Sequence, residues 1–221
     1  MTQLTQRAFD IETTGFNASD AVTVVGVERD LGYQLFAQTA SHPTGDIATA
    51  VQDTTDEHVR VATYRTEAKL LTAVATYVRE QLSPVDVLLV AYNGETWQGG
   101  FDLPFLRTRL AAHGIAWPFV DVPYADLLPL IQRLFNTTVD GDADADLVTA
   151  YDVLCDGDAG AYDPFDESSE AVTAFETGHY TDVVMHNLAD ILRTEALSTL
   201  AQRYCSKSDF DLKSLTPTID E

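Results

Sequence analysis

Lysine is nearly missing from this chain. Only Lys69, Lys207 and Lys213 occur in 221 residues, and with arginine the basic total reaches 13 against 35 acidic residues, a net charge of −22. Cysteine is equally scarce. Cys155 and Cys205 are too few for a disulfide framework and lack metal-ligand spacing, so they read as ordinary thiols. Long apolar runs are lacking too. The longest, such as Val85 to Tyr92, fall far short of the ~20 residues that cross a bilayer, and no charged-then-apolar leader opens the chain. A cytoplasmic protein with no membrane partner is expected. No Pro/Gly/Ser-rich linker or composition break divides the sequence, so a single domain spanning 1–221 is expected as well.

The acid is spread along the whole chain and accompanies an ordinary 45% apolar content. A localised acidic tail would suggest a disordered segment, whereas dispersed acid suggests a folded protein with an acidic surface. Such a surface suits a cytoplasm of molar salt, where the Debye length shrinks to about 3 Å and self-repulsion is screened. A salt-in halophile is the expected source. Taken alone, the charge opposes a nucleic-acid partner, because phosphate binding normally rests on Lys and Arg and weakens as salt rises. At molar salt counterion release contributes little for any protein, and binding must come from metal ions, stacking and backbone amides. The charge is therefore neutral on that question.

Periodicity gives the elements. Arg7 to Thr13 alternates as a strand, with Phe9 and Ile11 on one face and Asp10 and Glu12 on the other. Val22 to Val27 and Tyr33 to Ala37 extend it into an antiparallel meander. Ser41 to Arg65 reads as polar and irregular. Thr66 to Leu82 has helical spacing and ends before Pro84, and Val85 to Tyr92 reads as a strand buried on both faces. A helix over Phe101 to His113, a strand near Phe119 to Val122 and a helix over Leu127 to Phe135 follow. A short helix around Leu147 to Leu154 lies within the acidic stretch Asp140 to Glu170, and a long helix runs from Asp182 to Gln202. The order predicts an α/β fold with a mixed central sheet of about five strands flanked by helices.

Asp10 and Glu12 project from one face of a strand, where two buried acids repel each other unless a cation neutralises them. They read as half of a hard-metal site, with an exposed acidic edge strand as the alternative. Asp102 opens the helix after the buried strand, at the sheet end where open α/β sheets place ligands. A plain N-cap is its alternative. On the last helix Asp190 shares a stripe with Val183, His186 and Leu197 and so faces the core. His186 sits one turn before it, and a structural His–Asp hydrogen bond is the plain alternative for that pair. The run Asp140 to Asp146 lacks the later Gly and terminal Glu of a calcium-binding EF-hand loop and reads as a solvated loop.

In combination these residues carry a resemblance. Phe9-Asp-Ile-Glu-Thr-Thr-Gly15, Tyr92-Asn93-Gly94 with Phe101-Asp102-Leu103-Pro104-Phe105-Leu106, and His186-Asn-Leu-Ala-Asp190 resemble the three motifs of the DEDD (DnaQ-like) 3′–5′ exonuclease superfamily, as found in the proofreading domains of family B DNA polymerases. The resemblance implies a ribonuclease H-like fold. Asp10, Glu12, Asp102 and Asp190 would hold two Mg²⁺ or Mn²⁺ ions, and His186 would orient or deprotonate the attacking water. The substrate implied is the 3′ end of single-stranded DNA or RNA. Thr13, Thr14, Asn93, Gly94 and Phe101 would contact the terminal nucleotide, with Trp97 as a further candidate. Two departures stand out. Glu95 to Gly100 separate Asn-Gly from Phe-Asp, and a histidine occupies the spacing at which the family places tyrosine. An inactive nuclease-like module that binds nucleic acid or assembles with others is the alternative, and a replication or repair protein is the partner class to expect. The start Asp-Ile-Glu-Thr-Thr also loosely resembles haloacid dehalogenase phosphatases, but Glu12 stands where those have Asp and few lysines are present to meet a phosphate.

Overall fold

The computed structural model describes residues 4–40, 42, 44–95 and 101–219. In chain order the elements are β1 (Thr5–Thr13), β2 (Val22–Arg29), β3 (Gly32–Gln38), α1 (Ile47–Thr54), β4 (Val59–Tyr64), α2 (Glu67–Tyr77), β5 (Val87–Ala91), α3 (Asp102–Ala112), β6 (Pro123–Asp126) and α4 (Leu127–Leu134). The hairpin strands β7 (Thr138–Val139) and β8 (Asp142–Ala143) come next, followed by α5 (Leu147–Leu154), α6 (Ser169–Thr177), α7 (Tyr180–Tyr204) and β9 (Lys213–Ser214). Seven strands form one mixed sheet in the order β4-β3-β2-β1-β5-β6-β9. The meander β1–β3 is antiparallel as expected, while β4 joins β3, and β5 joins β1, in parallel. β6 continues in parallel beyond β5, and β9 closes the edge antiparallel.

Two apolar layers cover the sheet. Phe9, Ile11, Val25 and Val27 pack with Leu70, Leu71 and Val74 of α2 and Leu103 and Leu106 of α3. On the opposite face Ala8, Val24 and Leu35 pack with α7 through Val184, Leu188 and Ile191, alongside residues of α1, α4, α5 and α6. The alternation in β1 therefore sends Phe9 and Ile11 under α2 and α3, and Asp10 and Glu12 towards α7. Because β1 lies between β2 and β5, the acidic edge-strand alternative does not hold.

The departures from expectation have physical causes. The sheet has seven strands instead of about five because Ser41 to Arg65 is not irregular: it contains α1 and β4. α1 buries only Ile47 and Val51, too few for a periodic signal, and is started by Asp46, whose side chain accepts the Thr49 N–H. The strand expected near Phe119 to Val122 falls instead at Pro123–Asp126. Phe119 and Val122 are buried, but by packing of a turn in which Asp121 has a positive φ and Trp117 donates to the Leu215 carbonyl. Neither α6 nor β9 was expected. The helix from Thr66 ends at Tyr77 and continues as a π-helical turn over Val78–Leu82. α7 starts two residues before Asp182 and runs 25 residues. Part of the acidic run is the β7–β8 hairpin, and Asp146 caps α5 by accepting the Thr149 N–H. Among the described residues no helix is long and apolar enough to cross a membrane.

Candidate metal centre

β1, α3 and α7 bring their acids to one place. Asp10, Glu12, Asp102, His186 and Asp190 all line a cavity of about 870 Å³ at the C-terminal ends of β1 and β5. The pairing of β1 with β2 shifts between Glu12 and Thr13, so the strand turns away just after its second acid. Asp102 is the first residue of α3 and is 4% exposed. It does not act as a side-chain N-cap: Phe101 holds the cap position and no described residue donates a hydrogen bond to the Asp102 carboxylate. Its place is fixed from behind, where a Cβ on Gly94 would stand 2.4 Å from the Tyr124 hydroxyl and 3.4 Å from Asp102 Oδ2. Only glycine lets the β5 exit loop pass there.

The electrostatics are those of a site short of positive charge. Burial raises the Asp10 carboxyl well above its ordinary range, and Glu12, Asp102 and Asp190 raise it further. Glu12 is pushed up to about 8, mainly by burial, against a lowering by His186. Asp102 and Asp190 are raised in the same sense, again chiefly by burial. Burial and the charges of neighbouring acids both disfavour ionising this cluster, and a cation among the carboxylates would relieve that cost. Oxygen donors in this number suit hard divalent ions such as Mg²⁺ or Mn²⁺. Among the described residues the site has its own cations only on one side, at His186 and Arg193.

That side is built by residues the sequence reading passed over. Asp163, just past a 3-10 turn at Ala159–Tyr162, accepts from His186 Nδ1 at 2.8 Å and from Arg193 Nη1 at 2.7 Å. The same Arg193 nitrogen donates to Asp190 Oδ1 at 2.6 Å. These donors hold the Asp163 carboxyl below its ordinary range although burial opposes ionisation. Burial likewise opposes charge on His186, but Asp163, Glu12 and Asp190 raise the imidazole to about 9. The His186–Asp190 hydrogen bond weighed from spacing is not formed, since Nε2 lies 3.8 Å from Asp190 Oδ2. Asn187 donates to Asp10 Oδ2 at 2.7 Å, tying α7 to β1. Arg193 was legible in principle, because it sits three residues after Asp190 on the same helical face. Asp163 was one acid among many in an acidic stretch.

No protein-family model matches this chain, and no curated protein matches it significantly. The assignment of chemistry therefore rests on the site itself.

Of the expected nucleotide contacts, Thr13, Asn93 and Phe101 line the cavity, whereas Thr14 and Gly94 do not. The Thr14 hydroxyl accepts the Ala21 N–H and is spent inside its own loop. Thr13 is also engaged, donating to the Gly15 carbonyl at 2.8 Å. Asn93 takes a positive φ of 62°, and its N–H donates to Asp126 Oδ1 at 2.9 Å. Asp126 also accepts the N–H groups of Glu95 and Leu128, so this half-buried acid anchors the exit of β5. Trp97 lies outside the described residues. An aromatic not foreseen is Phe16, 68% exposed at the cavity rim, with its ring edge against Phe101 at 5.1 Å between centroids.

Proposed function

We propose that this chain is a metal-dependent 3′–5′ exonuclease of the DEDD type, hydrolysing single-stranded DNA or RNA on a ribonuclease H-like sheet. The observation that carries the reading is the convergence of Asp10, Glu12, Asp102 and Asp190, from three separate elements, on one cavity large enough for a nucleotide. The meander followed by parallel strands β5 and β6, with the acids of β1, α3 and α7 lining a cavity off the carboxyl ends of β1 and β5, supports the same assignment.

Asp10, Glu12 and Asp190 would hold one divalent ion, and Asp10 with Asp102 would hold the second. When bound, such ions neutralise developing charge on the scissile phosphate and lower the cost of forming an oxygen nucleophile. The protein's own part is positional. Asn187 fixes the Asp10 carboxylate through a 2.7 Å hydrogen bond, and Arg193 fixes Asp190, so both oxygens presented to the cavity are set before substrate arrives. Phe16 and Phe101 at the rim offer apolar ring faces to the terminal bases, a binding mode that needs no lysine and survives molar salt.

The test compares linear and circular single strands in molar KCl with Mn²⁺. Shortening of the linear strand from its 3′ end with the circle left intact is the expected result. Cutting of the circle would make the chain an endonuclease, and no attack on either by a folded, Mn²⁺-binding protein would favour a nucleic-acid-binding module.

A further inference from the structure

His186 is held as a metal ligand is held. Its side chain is 5% exposed, and its Nδ1 meets Asp163 Oδ1 at 2.8 Å, which keeps a proton on Nδ1 and leaves Nε2 as the nitrogen that can give up its proton and take another partner. Asp163 cannot swing away, because its other oxygen is bound to Arg193 at 2.7 Å. Phe165 stands edge-on to the imidazole at 5.4 Å between centroids and limits its rotation. Nε2 then points at the acids without bonding to either: it is 3.8 Å from Glu12 Oε1 and 3.8 Å from Asp190 Oδ2. The donor atoms of Glu12, His186 and Asp190 all lie within 4.8 Å of one another. Around an octahedral ion with ligands at ~2.1 Å, neighbouring donors stand ~3 Å apart and opposite ones ~4.2 Å, so small side-chain movements close this set on one ion. A histidine that gives its second N–H to a carboxylate is the usual arrangement of a ligating imidazole.

We propose that His186 Nε2 is itself a ligand, completing with Glu12 and Asp190 a mixed nitrogen and oxygen site that takes Mn²⁺ in preference to Mg²⁺. The inference rests on the metal-dependent reading of the same cavity and refines it. Nitrogen donors are accepted by Mn²⁺ and by the later first-row ions, whereas Mg²⁺ favours oxygen and gives up its waters reluctantly. Asp163 and Arg193 become positioning residues for that ligand, and not ion-binding groups themselves.

The experiment is pulsed electron paramagnetic resonance on chelator-stripped full-length protein reloaded with Mn²⁺. The expected result is nitrogen modulation of a directly bound imidazole, altered by ¹⁵N-histidine labelling of the wild-type protein and lost in His186→Gln. Calorimetry is expected to show Mn²⁺ binding weakened roughly 10- to 100-fold in Asp163→Asn, with Mg²⁺ binding affected less. Mn²⁺ bound without nitrogen modulation would overturn the imidazole ligand and leave the carboxylate site standing. Failure of the folded wild-type protein to bind Mn²⁺ would overturn both. The labelled wild-type spectrum decides the matter even if the Gln variant does not fold.

Discussion

Asp10 faces Gly26 across the β1–β2 pair, and the side chain that Gly26 lacks is the space that α7 occupies. A Cβ there would come within 2.1 Å of Ile191 Cδ1 and 2.2 Å of Asn187 Oδ1. Asn187 is the residue that holds Asp10, so one glycine sets both the approach of α7 to the sheet and the position of the first acid.

Gly26→Ala therefore acts on stability and activity together. Overpacking of this kind costs about 1–3 kcal/mol, which for a chain of this size lowers Tm by roughly 2–4 °C per kcal/mol. Thermal melts in molar KCl measure the first effect. The second is a fall in nuclease rate beyond what the remaining folded fraction explains, because α7 can no longer deliver Asn187 and Asp190 in register.

The acid cluster trades stability for function. In the metal-free protein Glu12 is raised to about 8 and Asp10 in the same direction, so between the ordinary carboxylate range and pH 8 the folded state binds more protons than the unfolded state. Stability contributed by the protonated acids is present at low pH and is lost as pH rises through that window. Asp10→Asn removes one repelling charge while keeping an acceptor for Asn187. It is expected to stabilise the metal-free protein at pH 8 by on the order of 1–2 kcal/mol, with little effect near pH 5. Addition of Mn²⁺ raises the wild-type Tm more than that of the variant, which keeps the Glu12, His186 and Asp190 donors but loses Asp10.

Phe16 is a surface aromatic whose removal leaves the core intact. Base stacking on an aromatic is worth about 1–3 kcal/mol, so Phe16→Ala should weaken single-strand binding by roughly 5- to 100-fold with an unchanged Tm. Fluorescence anisotropy with a labelled oligonucleotide and Ca²⁺ in place of Mn²⁺ reads the affinity. An unchanged affinity would remove the rim aromatics from the substrate path.

The net charge of −22 carries its own expectation. Raising KCl from about 0.1 M to about 1 M shortens the Debye length from ~10 Å to ~3 Å, and Tm should climb with it. A melting temperature indifferent to salt would contradict the halophilic reading of the surface.

The sequence exposed the parts of the fold that repeat in period. β1 alternates from Phe9 to Thr13, α7 is long and largely buried, and α5 was placed at its observed ends, so the acids on β1 and α7 could be assigned to faces. What stayed hidden was set by tertiary packing. α1 shows only two buried residues, β6 pairs over three and begins with a proline that reads as a strand breaker, and β9 is two residues long. At the site, Asp10, Glu12, Asp102 and His186 could be found because motif spacing or helix position marked them. Asp163 could not, because nothing in a run rich in aspartate marks the one that folds back 23 residues to meet His186. Thr14 was expected to offer a backbone N–H to the nucleotide; in the fold that N–H donates to the Ala21 carbonyl at 2.9 Å, a loop pairing that the sequence does not mark.

The most direct test follows a 5′-labelled single strand, DNA and RNA in parallel, in molar KCl with Mn²⁺, with wild type beside Asp10→Asn. The account predicts a ladder of single-nucleotide losses from the 3′ end for the wild type and an intact strand for the variant, with the Tm of both proteins in the same buffer showing that each is folded. Equal degradation by both proteins, or none by a wild type shown to bind Mn²⁺, would contradict the four-carboxylate nuclease centre.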